Sequence, residues 1–338
     1  MLISVIMPTL NEEARIERAL KSIREQSVDQ TQVEIIVIDG GSIDNTQKIA
    51  LKYGAIIFDN NKIVPEEAKK IGISNSKGRY VVFMDADEEF THEKQLSKRL
   101  ELFQINESVK LIIPNILKTP EGYPKITEYI NSYKDPFTAF VYRLNGESVV
   151  NRLQKYKYSF IYAEDQKIMF LLKDKNITII ADAGTTMFDL EYIKNQSIDI
   201  FYQPDFTSII SEEILKQTKC FGVIEDDVIN HFTSTQLKIY LKKLKWRVIN
   251  NLYPNNYISG YTARTRVNKA LKVKKYLFLG YCLLPPLVLL DSIRIAIRER
   301  NLVFLLHFIF TYFIVYQTFK YSILKLFKVK VINKAYGR

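Results

Sequence analysis

Two aspartates separated by one residue, Asp85-Ala86-Asp87, directly follow the apolar run Tyr80-Val81-Val82-Phe83-Met84. Carboxylates so spaced at a strand end can share Mg2+ or Mn2+, hard cations that take carboxylate oxygen, water and substrate phosphate. Such a cation neutralises a diphosphate. Asp39-Gly40-Gly41-Ser42, with Asp44 behind it, ends a second apolar run, Val33–Ile38, and Pro8-Thr9-Leu10-Asn11-Glu12 ends a third, Leu2–Met7. Each cluster alone has a plainer meaning: Asp-Gly-Gly-Ser is good turn chemistry, Asn11 a helix cap, and an isolated aspartate pair a solvated turn. Three in series, each at a strand end, make one polar rim. No G-x-G-x-x-G follows a strand and no G-x-x-x-x-G-K-[ST] occurs, so phosphate must be held another way.

The elements that would position this rim alternate two periods. Leu2–Met7 reads as a strand buried on both faces. Ala14, Ile16, Ala19, Leu20 and Ile23 then recur at helical spacing, with Glu12 and Glu13 in the first turn. Strand 33–38, a helix from Thr46 to about Tyr53, a strand at 55–58, a helix opened by Pro65 and the strand at 80–84 complete a strand–helix series. That order implies right-handed crossovers and a mostly parallel sheet. In such a sheet ligands bind beyond the carboxyl ends of the strands, where the three clusters lie. Further on, Lys110–Ile113 reads as a strand, Asp165–Lys173 as a helix with Ile168, Leu171 and Leu172 on one face, 177–180 as a strand, and Leu237–Asn250 as a basic helix.

The chain has 338 residues, 47% of them apolar and 25% charged, enough for about two globular units. Its net charge of +11 suits anionic partners. Nucleic acid is not expected, because the surplus clusters beside apolar runs. Two cysteines, Cys220 and Cys282, make neither a disulfide framework nor a metal spacing. The opening MLISVIMPTL has no basic n-region and no long apolar run, so no secretory signal is expected and the amino-terminal part is expected to stay in the cytoplasm.

Tyr276–Leu290 is uncharged and holds Pro285-Pro286, and Leu302–Phe319 is uncharged apart from His307. Each is slightly short of the ~20 residues that span a bilayer. Lys269, Lys272, Lys274 and Lys275 precede the first run; Lys320, Lys325, Lys328, Lys330, Lys334 and Arg338 follow the second. Membrane attachment is the expectation, a buried helical hairpin the plainer alternative. A spanning hairpin keeps both lysine flanks inside, as the positive-inside rule prefers, but sends Arg294, Arg298 and Arg300 of the connector outward. That conflict leaves a re-entrant or interfacial arrangement open.

The segments VIMPTLNEEARIERALKSI, VEIIVIDGGSIDNTQKIA and AKKIGISNSKGRYVVFMDADEEF resemble family 2 glycosyltransferases of the GT-A fold. The resemblance runs over residues 3–90 and combines P-T-x-N-E, D-G-G-S-x-D-x-T, A-[KR]-x-x-G and D-A-D in the family's order and spacing. It implies that Pro8, Thr9, Asn11 and Glu12 line a nucleotide pocket and that Asp39 receives the base, at an imino N–H. Asp85 and Asp87 would meet the sugar diphosphate and its metal. Lys69 stands where the family often has Arg, keeping the charge without the bidentate fork. The pair Glu164-Asp165 fits the family's carboxylates opening a helix, and Asp165 would then be the general base, with a helix cap as its plainer reading. Where many relatives carry a His, this chain has Asp189. HFTSTQLKIYLKKLKWRV resembles the family's later His and basic helix, so His231 becomes a candidate metal or diphosphate ligand and 190–230 a candidate insertion. Glu212-Glu213 is a weaker rival for the base, and His92 has no such context.

The expected organisation is therefore an α/β, GT-A catalytic domain over 1–235, with a nucleotide-sugar half at 1–115 and an acceptor-side half at 116–235. A basic juxtamembrane segment (236–275), two membrane helices (276–319) and a basic tail (320–338) would follow. The resemblance implies inverting, metal-dependent transfer from a UDP- or GDP-sugar, with Mg2+ or Mn2+. A membrane-associated acceptor is expected, a polyprenyl- or dolichyl-phosphate lipid or a lipid-linked saccharide, at the cytoplasmic face of the cell membrane. The alternatives are a membrane-anchored subunit that binds nucleotide sugar without turnover, and a transferase for a soluble or protein-borne glycan.

Overall fold

The computed structural model describes residues 2–155, 159–164, 166–171, 184–196, 206–233, 235–253, 261, 264–265 and 268–331. In chain order the elements are β1 (Ile3–Thr9), α1 (Ile16–Arg24), β2 (Val33–Asp39), α2 (Thr46–Lys52), β3 (Ile56–Asp59), α3 (Pro65–Asn75), β4 (Tyr80–Phe83), β5 (Glu88–Phe90), α4 (Gln95–Ile105), β6 (Leu111–Ile112) and β7 (Ile116–Lys118). Then come α5 (Lys125–Tyr133), α6 (Pro136–Tyr142), α7 (Val149–Lys155), β8 (Ser159–Glu164), β9 (Lys167–Leu171), β10 (Met187–Asp189), α8 (Leu190–Gln196), α9 (Phe206–Thr218), β11 (Cys220–Ile224), β12 (Val228–His231) and α10 (Leu237–Leu252). The last helices are α11 (Lys269–Cys282), α12 (Pro285–Arg298) and α13 (Leu306–Leu326). Two compact units result: 1–117 with 148–177 and 181–231, and 118–147 with 178–180 and 232–338.

The first unit is built on a nine-stranded sheet ordered β3-β2-β1-β4-β10-β6-β11-β9-β8. β3, β2, β1 and β4 are parallel, as the strand–helix series requires. β10 is antiparallel to β4 and β6, β11 is parallel to β6, and β9 is antiparallel to β11 and β8. Every residue of β2 is buried, Glu34 included. That carboxylate is tolerated because Ser4 Oγ (2.5 Å) and the Lys77 N–H (2.6 Å) both donate to it. Pro8 sits in β1 beyond the last residue paired with β4, so its missing N–H breaks no bond of that ladder. Helix α3 lies close on β1: a Cβ at Gly72 would come within 2.3 Å of Ile6 Cγ2. A second sheet, β5-β12-β7, stands beside the end of β4.

Several expectations change. Of the helix expected at 165–173, the described residues Lys167–Leu171 form a strand instead: β8 and β9 pair as a hairpin, with Glu164 opposite Lys167. Ile168–Leu171 is a short continuous apolar run, which a strand buried on both faces fits as well as a helix segment, and pairing with β11 decides it. The strand expected at 177–180 lies outside the described residues. Asn11 does not cap α1, which starts at Ile16; Asn11 instead adopts a positive φ of 54° and its side chain binds another loop. Residues 190–230 supply α8, α9 and β11, an interior strand of the main sheet. Residues 118–147, expected in the acceptor-side half, belong to the helical second unit.

In that unit, Tyr129, Tyr133, Tyr240, Leu244, Phe304, Phe310 and Ile314 form one core. α13 is held by a Tyr240–Phe310 ring contact (4.9 Å), by the Tyr129 hydroxyl on His307 Nδ1 (2.9 Å), and by Lys325 donating to the Leu252 carbonyl (2.6 Å). Among the described residues, Leu302–Leu326 is long and apolar enough to cross a membrane, by length and composition alone. A third of that apolar stretch is buried in protein, and the core helix of a soluble protein can match it in length and composition. α11 and α12 together match it too but are bent by 99° at their junction.

Candidate active site

The loops after β1 and β2 are laced together. Asn11 Oδ1 accepts from the Ile43 N–H (2.9 Å), and the Asn11 N–H donates to Ser42 Oγ (2.8 Å). The Glu12 N–H reaches Thr46 Oγ1 (2.7 Å), and Glu13 accepts from the Asn45 N–H (3.0 Å). At the centre is Asp39, fully buried at the end of β2. Its Oδ1 accepts from Thr9 Oγ1 (3.0 Å) and Ser42 Oγ (2.5 Å). Its Oδ2 accepts from the N–H groups of Gly41 (3.0 Å) and Ser42 (2.7 Å) and from Gln47 Nε2 (2.8 Å). Gly41 turns the chain at φ +86°, a conformation suited to glycine. Burial alone would raise the carboxyl pKa, but the hydrogen bonds from Ser42, Gln47 and Thr9 outweigh it and leave Asp39 below the ordinary value. Five donors already fill a carboxylate with about four lone-pair sites. A base imino N–H would have to exchange with one of them, and the Gln47 side chain is the partner free to rotate away.

β4 delivers Asp85 and Asp87. Lys69, buried on α3, lies with Nζ 3.9 Å from Asp85 Oδ1 and 5.3 Å from the centre of the Phe83 ring. β5 and β12 pair antiparallel with His231 opposite Glu88, which returns the chain to the rim and sets His231 Nε2 3.8 Å from Asp87 Oδ1. Arg15 bridges two of the clusters: its guanidinium is 2.6 Å from Glu12 Oε2 and 3.7 Å from Asp87 Oδ2. The Glu88 side chain accepts from the Asp85 N–H (2.9 Å) and so fixes the turn between the aspartates. Burial, then the charge of Asp85, pushes the Glu88 carboxyl well above its ordinary value.

Sequence reasoning missed Arg15 and Glu88. Both stood inside quoted motifs, but nothing in the run D-A-D-E-E says which carboxylate turns inward. Asp165 lies outside the described residues. Asp189 is elsewhere: it pairs with Tyr80 at the opposite end of β4 from Asp85 and is bound by Lys110 (3.1 Å) and Arg79 (3.4 Å). Glu213 is paired with Lys216 on α9 (2.8 Å).

Among the described residues no three His, Cys, Asp or Glu side chains form a metal cage. The donor chemistry still fits Mg2+ or Mn2+, which take one or two carboxylates and complete their shell with water and substrate phosphate. Asp85 and Asp87 would supply the carboxylates, with His231 beside them. Burial is the main cause of the upward shift at Glu88; the charges of Asp85 and Asp87 add to it, and a cation would offset that added part.

The model of Glycosyl transferase family 2 matches residues 4–169. The amino-terminal half of the chain belongs to that family. Its α/β fold, with parallel strands carrying the carboxylates at their ends, is the GT-A arrangement expected from the motifs. Over 203 residues the chain is 30% identical to poly(ribitol-phosphate) beta-N-acetylglucosaminyltransferase TarP of Staphylococcus aureus (strain N315), covering 53% of this chain and 60% of that protein. Over 93 residues it is 39% identical to glucosyl-3-phosphoglycerate synthase of Mycobacterium tuberculosis, covering 25% of this chain and 28% of that one. The crystal structure of S. aureus TarS 1-349 in complex with UDP-GlcNAc superposes with a TM-score of 0.46 and 15% identity, covering 85% of this chain and 79% of that one. The chain thus spans less than two thirds of the length of the curated relatives it matches.

Proposed function

We propose that the protein transfers a sugar, with inversion, from a nucleoside diphosphate sugar to a membrane-associated acceptor at the cytoplasmic face of a membrane. The observation that carries this reading is the convergence of Glu12, Arg15, Lys69, Asp85, Asp87 and His231 at the ends of β1 and β4. The nucleoside would lie along Pro8, Thr9 and Asn11 beside Asp39, with the diphosphate toward Asp85, Asp87 and Lys69. Mg2+ or Mn2+ bound there would act as a Lewis acid on the departing diphosphate. Lys69 and Arg15 balance the charge on either side of the aspartates. Asp165 is proposed as the base that takes the proton of an acceptor hydroxyl as its oxygen attacks the anomeric carbon. An acceptor phosphate, already ionised, needs no such help. Membrane association rests on the apolar helices with flanking lysines, and favours a polyprenyl- or dolichyl-phosphate, or a lipid-linked saccharide, as acceptor. TarP's name specifies N-acetylglucosamine transfer to a polymer, so UDP-GlcNAc is the first donor to test and a polymer acceptor the second reading.

The test is a donor screen on purified protein. Release of nucleoside diphosphate is followed with Mg2+ or Mn2+, with and without membrane lipid extract. One donor is expected to give lipid-dependent release that falls by about 10²–10³-fold in Asp87→Ala, the scale of losing charge stabilisation at a leaving group. Asp165→Asn is expected to retain donor binding and lose transfer to a hydroxyl acceptor. Donor binding without turnover on any acceptor would favour a non-catalytic binding subunit. No donor binding in the presence of metal would overturn the assignment.

A further inference from the structure

We propose that the elbow between α11 and α12 enters an anionic membrane from one side and turns back, rather than spanning it. This rests on the reading of the chain as membrane-associated and specifies how it meets the lipid. The two helices are bent by 99° at Leu283-Leu284, where a pair of prolines, Pro285 and Pro286, opens α12. The bend presents its apex to solvent: Leu283 is 80% exposed and Leu284 55%. Leu277 and Leu279 on one leg, and Leu287, Leu289 and Leu290 on the other, are exposed as well. A soluble surface rarely carries so continuous an apolar patch without a partner.

Charge identifies the partner. Lys269, Lys272 and Lys275 are exposed at the outer end of α11, and Arg294 and Arg300 at the outer end of α12 and just beyond it, while Arg298 is engaged by Glu299 (3.1 Å) and the Tyr133 hydroxyl. In a straight span these two basic groups would lie on opposite sides of the bilayer. Bent, both legs point their basic ends away from the apolar apex, so both groups meet the same headgroup layer. Anionic lipid attracts such residues by about 1 kcal/mol each. The conflict between the arginines and the positive-inside rule then disappears. Asp291, the one acid between the basic groups, accepts a hydrogen bond from the Tyr281 hydroxyl (3.1 Å), which also ties the legs together. Tyr312 of α13 holds the bend from behind through the Cys282 carbonyl (3.1 Å).

Length decides between entry and crossing. The apolar legs, 276–282 and 285–290, are about 10 and 9 Å long at 1.5 Å per residue. Folded at this angle they reach less than about 10 Å deep, against a hydrocarbon core of about 30 Å. That depth matches an interfacial anchor.

The full chain is mixed, without nucleotide sugar, with vesicles of phosphatidylcholine or of phosphatidylcholine and phosphatidylglycerol, and floated. Wild type is expected to float with the anionic vesicles. Leu283→Glu with Leu284→Glu is expected to lower the fraction bound to the anionic vesicles at least about tenfold. Lys272→Glu with Arg294→Glu is expected to lower it about tenfold on anionic vesicles alone. Circular dichroism checks that each variant is folded. For depth, single cysteines replace Lys272, Leu283 and Arg294 in a Cys220→Ser, Cys282→Ser background. A fluorophore at 283 is expected to be quenched by lipids brominated in their chains. Positions 272 and 294 are expected to react with an impermeant maleimide from the same side. Labelling of 272 and 294 from opposite sides would overturn the proposal in favour of a span. Flotation unaffected by the leucine changes would overturn it, as would dimers that form without lipid and are lost in Leu283→Glu. Donor turnover is measured separately on the same preparations, so failure of the anchor and failure of the transferase reading give different results.

Discussion

A buried carboxylate stays ionised when the protein supplies the hydrogen bonds that water would have made, and Asp39 shows this with donors from Thr9, Gly41, Ser42 and Gln47. Asp39→Asn turns part of that acceptor into a donor facing other donors, and is expected to cost about 2–4 kcal/mol at neutral pH. The pH dependence follows from the lowered pKa of the folded state. Such an acid contributes stability fully above its unfolded pKa and loses it as pH falls through the folded one. Urea titrations of both proteins from neutral to acid pH should therefore converge below the ordinary carboxylate range. A gap that stays constant with pH would mean that packing, not charge, is responsible.

At the level of elements, the fit of α3 on β1 sets how close Lys69 comes to Asp85. Gly72→Ala puts a methyl into Ile6, which is fully buried, and is expected to destabilise by about 1–3 kcal/mol. It should also weaken donor binding, since Lys69 lies three residues earlier on the same helix; calorimetry and donor titration separate the two effects. Elements of this kind were legible in the sequence where one local signal dominated. β1, β2 and β4 are mostly apolar runs, interrupted within them only by Ser4 and Glu34, and Pro65 marks the start of α3, so the carboxylates at 85 and 87 were placed correctly at a strand end. Legibility failed where distant partners decide. The short apolar run at Ile168–Leu171 fits a buried strand or a helix segment, and β11 selects the strand. Met187–Asp189 is three residues long and exists because β4 and β6 flank it. Arg15 and Glu88 carry no signal of their own, because what they touch comes from other loops and strands.

For the whole molecule, the charge of +11 is unevenly used. Within the first unit basic residues pair with acids, as Lys110 does with Asp189 and Arg99 with Asp227. Around the elbow Lys269, Lys272, Lys275, Arg294 and Arg300 are exposed to solvent. Raising ionic strength to about 0.5 M, where screening acts over a few ångströms, should release the protein from anionic vesicles while leaving the thermal midpoint of the first unit little changed. Equal sensitivity of both would contradict this division. Strand order has a different consequence. The family match closes at residue 169, yet β4 and β6 are joined by β10, and β6 and β9 by β11, all of it later chain. Until those strands are synthesised, β4 holds an open edge and β6 has neither neighbour. Such edges template pairing between chains, and non-local strands arrive slowly. A polypeptide stopped at residue 169 should therefore sediment as aggregate. In the growing chain, the interval between β9 and β11 is the period in which a chaperone has most to protect.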